Sequence, residues 1–492
     1  MKRIITVSLI ATMALTSVNA ISNAELAAKL NDLESQLADV KKKLKKQNKK
    51  INKVKSHDSG DNIKWGVDLR TGIDNINYDM ADGSTQGKSD LLSMRLWLNM
   101  AYAPDSHNVF KGQLSMNKAF GADFAQPGLF NYFDWTTNEA LNDSALRVRQ
   151  AYWLYLGDTA FGLDMPWTFS LGRRPSTGGF LANLREDDAA QSPLGHVINV
   201  EFDGLSSKLD LSNLTGIPGM SIKVCMGQGS TNAVPLIGSS TPNANDDTQN
   251  DDITLAGFIF EPYNDGQFIV KASWYKAYDL PGANFAVVPP ATQPQVVDLT
   301  TTGDMDGAAL SMMVDGLTED GYFADAKVFA SFAWTKTRPN GNTVVGPSGV
   351  AAPGMLGSTE SETGTSYWIG AQLPVTEDGV FGVEFNHGSQ YWRPFTYSED
   401  TMIGSKIAAR GDAFEVYFTY QLTEALSMQA RYTSINYDYT GSNGFFGSST
   451  GAATKISDLK VAAAAGDPGA IAALPNIVEK AQDARFYLRY RF

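Results

Sequence analysis

The chain has 492 residues, with 45 Gly, 25 Phe, 19 Tyr and 9 Trp, and a formal net charge of −13. That is long for one ordinary soluble core of about 100–200 residues, though it suits one large barrel. A lone cysteine, Cys225, excludes an internal disulfide framework. No apolar run after the N-terminus reaches the length of a membrane-spanning helix.

Residues 1–20 read as a secretory signal: Lys2 and Arg3, an apolar run from Ile4 to Leu15, and small residues up to a cleavage site after Ala20. Residues 21–56 then carry a heptad seam of Leu26, Leu30, Leu33, Leu37, Val40, Leu44, Ile51 and Val54. Such spacing gathers apolar residues on one side of a helix and predicts a self-associating coiled coil on the periplasmic side. A single helix packed on its own domain is the other reading. Residues 1–60 hold 12 Lys+Arg and 5 Asp+Glu, leaving 40 − 12 = 28 basic and 53 − 5 = 48 acidic residues for the remainder. The coil is therefore strongly basic, and a tether to anionic head groups or peptidoglycan is a secondary expectation.

From Ile63 the chain alternates at period two. Ile63, Trp65, Val67 and Leu69 oppose Lys64, Gly66, Asp68 and Arg70, and sixteen such stretches follow one another to Phe492. The last sets Phe486, Leu488, Tyr490 and Phe492 against Arg485, Tyr487, Arg489 and Arg491. Long connections near 77–88, 119–144, 175–196, 229–251, 281–305, 338–363, 391–410 and 440–480 alternate with short ones. A soluble sandwich has no reason to alternate so. The pattern predicts an all-β, transmembrane antiparallel barrel of about sixteen strands over 61–492, in the outer membrane.

A signal segment, a coiled coil and a sixteen-strand pattern resemble the bacterial porins, both general and phosphate-selective. LGRRPSTGG at 171–179 and YTGSNGFFG at 439–447 resemble an uncharacterised family of Gram-negative outer-membrane proteins assigned as porins. The resemblance implies a homotrimeric channel for small hydrophilic solutes or ions and does not name the solute. The competing reading is a structural membrane anchor tethered to the cell wall through the basic coil.

Inward positions of the strands carry Arg70, Arg95, Arg147, Arg149, Arg431, Arg485 and Arg489, expected to line one wall of the pore. The third long loop holds Arg185, Glu186, Asp187 and Asp188. In the porins it resembles, the third loop narrows the lumen, which would set these carboxylates against the arginines. The alternative leaves the loop outside. A charge at Leu488 is expected to be costly, and Arg489→Gln to be tolerated. Other chemistry is weak: His57, His107, His196 and His387 lack metal-ligand spacing and read as solvated positions, and GRRPSTGG lacks the lysine of a phosphate loop. Asp246, Asp247, Asp251 and Asp252 could hold Ca²⁺ but read better as a solvated loop. No enzyme activity, cofactor, metal or nucleic-acid partner is expected.

Overall fold

The structure is a computed structural model, which describes residues 63–122, 124, 140–233, 240–244, 252–288, 294–318, 321, 323–396, 401–441 and 452–492. The chain divides into two units, Met1–Asp61 and Asn62–Phe492. The signal segment and every seam residue from Leu26 to Val54 lie outside the described residues, as do Asp246, Asp247 and Asp251.

Sixteen antiparallel strands close into one barrel. They are β1 Lys64–Met80, β2 Thr85–Tyr102, β3 Asn108–Ala119, β4 Arg147–Gly157, β5 Trp167–Arg174, β6 Phe202–Asp210, β7 Ser221–Ser230 and β8 Ile253–Asn264. The second half comprises β9 Phe268–Ala286, β10 Gln295–Asp315, β11 Lys327–Pro339, β12 Thr363–Thr376, β13 Gly379–Gly388, β14 Gly411–Gln421, β15 Leu426–Tyr437 and β16 Val478–Arg491. The seam is zipped between β1 and β16, where Arg70 pairs with Arg489 and Thr71 with Leu488. Closure leaves no sheet edge, so every strand satisfies its backbone on both sides.

Alternation decides which way each side chain points. Leu488, Phe332, Leu310 and Ile369 stand on the outside at 43–52 % exposure, while Arg489, Ser331, Ser311 and Trp368 point inward and are buried. The exterior is thus an apolar band and the interior is polar, the reverse of a soluble barrel. Tight connections use turn residues: in the β8–β9 hairpin Asp265 accepts from Gln267 and Phe268 backbone N–H groups, and Gly266 takes a φ of 98° that favours glycine.

Several boundaries differ from the alternation pattern. The first long connection, 77–88, is mostly strand, because β1 and β2 stay paired out to Asp79 and Thr85. The connection 281–305 is likewise largely a ladder, Pro281 to Ala286 against Gln295 to Thr301. β6 starts at Phe202, several residues late, because 195–201 turns into the barrel.

Candidate functional site

The loop from Pro175 to Glu201 folds into the lumen. It enters beside β5, makes a short two-stranded pairing of Gly179–Phe180 with Gln191–Leu194, and turns at Leu181–Asp188. Apolar residues explain why it goes in. Leu194, Val197 and Val200 pack with Leu255, Tyr275, Met305 and Ala333 of the β8–β11 wall, and Phe180, Leu181 and Leu184 pack with Met313, Phe329 and Trp368. Burying such side chains stabilises by about 1.5–3 kcal/mol each, which an external loop would forgo.

The apex reaches the opposite wall. Glu186 accepts from Arg70 Nη1 at 3.2 Å, Arg431 Nη1 at 2.8 Å, Arg185 Nε at 3.0 Å and Tyr487 Oη at 3.2 Å. Its carbonyl oxygen accepts from Arg489 Nη1 at 2.5 Å. Asp188 pairs with Arg489 at 2.8 Å and Arg491 at 3.3 Å, and Asp187 with Arg491. Arg185 pairs with Glu415 at 3.3 Å, while Gln372 and Gln429 donate to the carbonyls of Leu184 and Arg185. Burial pushes the Asp188 carboxyl above its ordinary value, against the pull of Arg489.

The remaining arginines are also neutralised. Arg485 pairs with Asp74 at 2.5 Å, Arg489 and Arg95 with Asp68, Arg149 with Glu201 at 3.4 Å and Arg147 with Asp143 at 2.7 Å. Arg70, Arg95, Arg149, Arg431, Arg485 and Arg489 are all at most 5 % exposed, and Arg147 is half-buried. The guanidinium carbons of Arg95 and Arg149 lie 3.4 and 4.3 Å from the Trp97 ring centroid, a cation–π arrangement.

A second segment, described at 389–396 and 401–410, joins the loop inside. Phe395 N–H donates to the Val197 carbonyl at 3.0 Å, and Arg393 donates to the Met355 carbonyl at 3.0 Å. Lys406 bridges Glu384 at 2.7 Å and Glu415. The part of the lumen left open beside β1–β4 is a cavity of about 490 Å³, lined among others by Lys64, Asp68, Asn99, Lys111, Arg149 and Asp188.

His196 corrects an expectation. It is fully buried rather than solvated, between Ser331 Oγ at 2.8 Å and Ser366 Oγ at 2.9 Å. Asn386 Nδ2 lies 3.4 Å from Nε2, so that nitrogen accepts and Nδ1 carries the proton toward Ser331. Burial lowers its pKa to about 3, keeping the ring neutral. Asp252 accepts from Gln228 and from the Asn232 backbone N–H. Among the described residues no group of three or more His, Cys, Asp or Glu is placed to hold a metal.

Asp68, Asp74, Glu384, Glu415 and Lys406 were not singled out from the sequence. A signal for Asp68, Asp74 and Glu415 exists, since each falls on an inward position of a strand that carries an arginine or pairs with one that does. The run YWRPF at 391–395 is likewise too apolar for a solvated loop.

A closed barrel with an apolar exterior, a charged interior and a loop drawn across its lumen defines a porin-like barrel. The chain belongs to the DUF3373 family, described as a protein of unknown function, whose model matches residues 85–492. It is similar in fold to an anion-selective porin from Comamonas acidovorans, at 10% identity and TM-score 0.46 over 88% of this chain and 100% of that one. It is also similar to OmpF of Salmonella typhi in complex with daunomycin, at 12% identity and TM-score 0.44 over 88% and 99%. A trimer form of OmpT, a Vibrio cholerae outer-membrane protein, aligns at 12% identity and TM-score 0.42 over 88% and 99%. No curated protein matches the chain.

Proposed function

We propose that the protein is an outer-membrane porin, a homotrimer embedded in outer-membrane lipid, through which small hydrophilic solutes or ions diffuse passively. The observation that carries this reading is the open space of about 490 Å³ beside β1–β4, walled by Lys64, Asn99, Lys111, Gln113 and Arg149 and bounded by the in-folded loop at Asp188. The apolar exterior suits a hydrocarbon surround, and a polar lumen suits water. Arg70, Arg431 and Arg489 act as the clamp that holds the constriction loop rather than as free charge. Each of the seven arginines has a carboxylate partner, so the field across the passage is short-ranged. Selectivity then falls to Lys64 and Lys111, which are exposed and line the same space.

Purified full-length protein in planar bilayers tests the reading. Discrete conductance steps are expected, with a reversal potential in a salt gradient that shifts toward cations in the double variant Lys64→Glu, Lys111→Glu. A specific observation favours a second reading. Residues 175–201, 389–396 and 401–410 occupy the lumen, as they would in a closed anchor tethered to peptidoglycan through residues 21–56. A silent barrel that is retained by peptidoglycan, and released when 21–56 is deleted, would decide for the anchor.

A further inference from the structure

Across the lumen from the clamp, the in-folded loop does not sit flush on the wall. Pro193, Leu194 and Ile198 of the loop and Phe202, Leu255 and Ile259 of the wall enclose an apolar cavity of about 90 Å³. The space exists because the wall is bare there. Gly172, Gly204 and Gly227 are direct cross-strand partners in one row of β5, β6 and β7. No side chain fits at Gly204, where an added Cβ would collide with the Met226 carbonyl oxygen.

One end of this apolar space is cationic. Lys208 and Lys223 are direct cross-strand partners, an opposition of like charges that is destabilising by itself. Glu261 serves Lys208 at 3.9 Å and Lys271 at 3.4 Å. Lys223, buried and lining the cavity, donates to Ser192 Oγ at 2.5 Å and has no ion pair among the described residues. Arg174 lines the cavity as well, and its Nε has no hydrogen-bond partner among them; Glu201 pairs with Arg149 at 3.4 Å. The buried Ser273 Oγ, on the same lining, also lacks one. Everywhere on the opposite wall an arginine meets a carboxylate, whereas here two cations and a hydroxyl converge on an apolar hollow.

We propose that this cavity binds a small amphipathic carboxylate, with its short alkyl body against Leu194, Ile198, Leu255 and Ile259 and its carboxylate on Lys223 and Arg174. The volume of about 90 Å³ is smaller than the about 150 Å³ of an apolar cavity that holds benzene, so it suits a short alkyl body, as in butyrate or isobutyrate. Inorganic phosphate would satisfy the cations but leave the apolar walls unused. The site does not depend on whether the barrel conducts.

Titration calorimetry of the full-length protein in detergent with butyrate, and separately with isobutyrate, tests the proposal. Saturable binding is expected, weakened at least tenfold in Lys223→Gln with Arg174→Gln. Leu194→Trp, which fills the cavity from the loop without altering the wall, is expected to abolish binding and guards against a misfolded wall variant. Cys225 lines the cavity and is the chain's one cysteine, so butyrate is expected to slow its alkylation by iodoacetamide. Absence of saturable binding would overturn the proposal. So would equal binding by the variants, which indicates micelle partition, or equal competition by inorganic phosphate, which indicates a bare cation site.

Discussion

Glu186 is the residue on which the constriction depends. It is 8 % exposed and faces Arg70, Arg431 and Arg185. Removing its charge leaves guanidinium groups buried with less compensation, and breaking a buried pair from one side costs about 3–5 kcal/mol. Glu186→Gln is therefore expected to release the apex, read as faster hydrogen exchange over 181–188 with an intact barrel. Unchanged protection would assign the docking to Leu181 and Leu184 alone. His196 supplies a pH dependence. Its pKa is about 3 in the folded chain against an ordinary value near 6.5, so the unfolded chain binds the extra proton in between. Its contribution is complete above about pH 6.5 and is lost as pH falls toward 3, at up to about 1.4 kcal/mol per unit. The urea midpoint of the native chain should fall through this window more steeply than that of His196→Gln, and parallel slopes would remove the histidine from the account.

At the scale of elements, β16 shows how facing and partnership differ. Leu488 is 43 % exposed on the outer face, so Leu488→Lys is expected to cost about 2–4 kcal/mol near a bilayer midplane, measured as a lower yield of folded barrel in lipid vesicles. Arg489→Gln looked harmless from an alternating strand, where any polar residue suits an inward position. The ion pairs with Asp68 and Asp188 change that, because the substitution leaves Asp68 only Arg95 at 3.9 Å and Asp188 only Arg491 at 3.3 Å among the ion pairs described. Period two predicts the face a residue occupies, but the partner it meets there comes from a loop some 300 positions away. For the same reason the apex residues Arg185 to Asp188 were legible as a charged loop opposite arginines. Their contact depended on whether Leu181, Leu184 and Leu194 found an apolar wall inside the barrel.

At the scale of the whole molecule, the coil is expected to stabilise assembly. Polar substitution of Leu33 and Leu37 removes the centre of its seam and should weaken oligomers on native gels while leaving the barrel folded. Oligomers that survive unchanged would place all the association in the barrel walls. Strand number, antiparallel order and the inward and outward faces were determined by the sequence itself, because alternation and turn spacing are local properties that each strand carries alone. The tertiary structure decided what fills the lumen. His196 read as solvated until the loop carried it between Ser331 and Ser366. The arginine wall read as opposed by the loop carboxylates alone until Asp68, Asp74 and Glu201 arrived beside it. Both depend on contacts between segments far apart in the chain, and a pattern of period two carries no information about which distant loop will lie against a given wall.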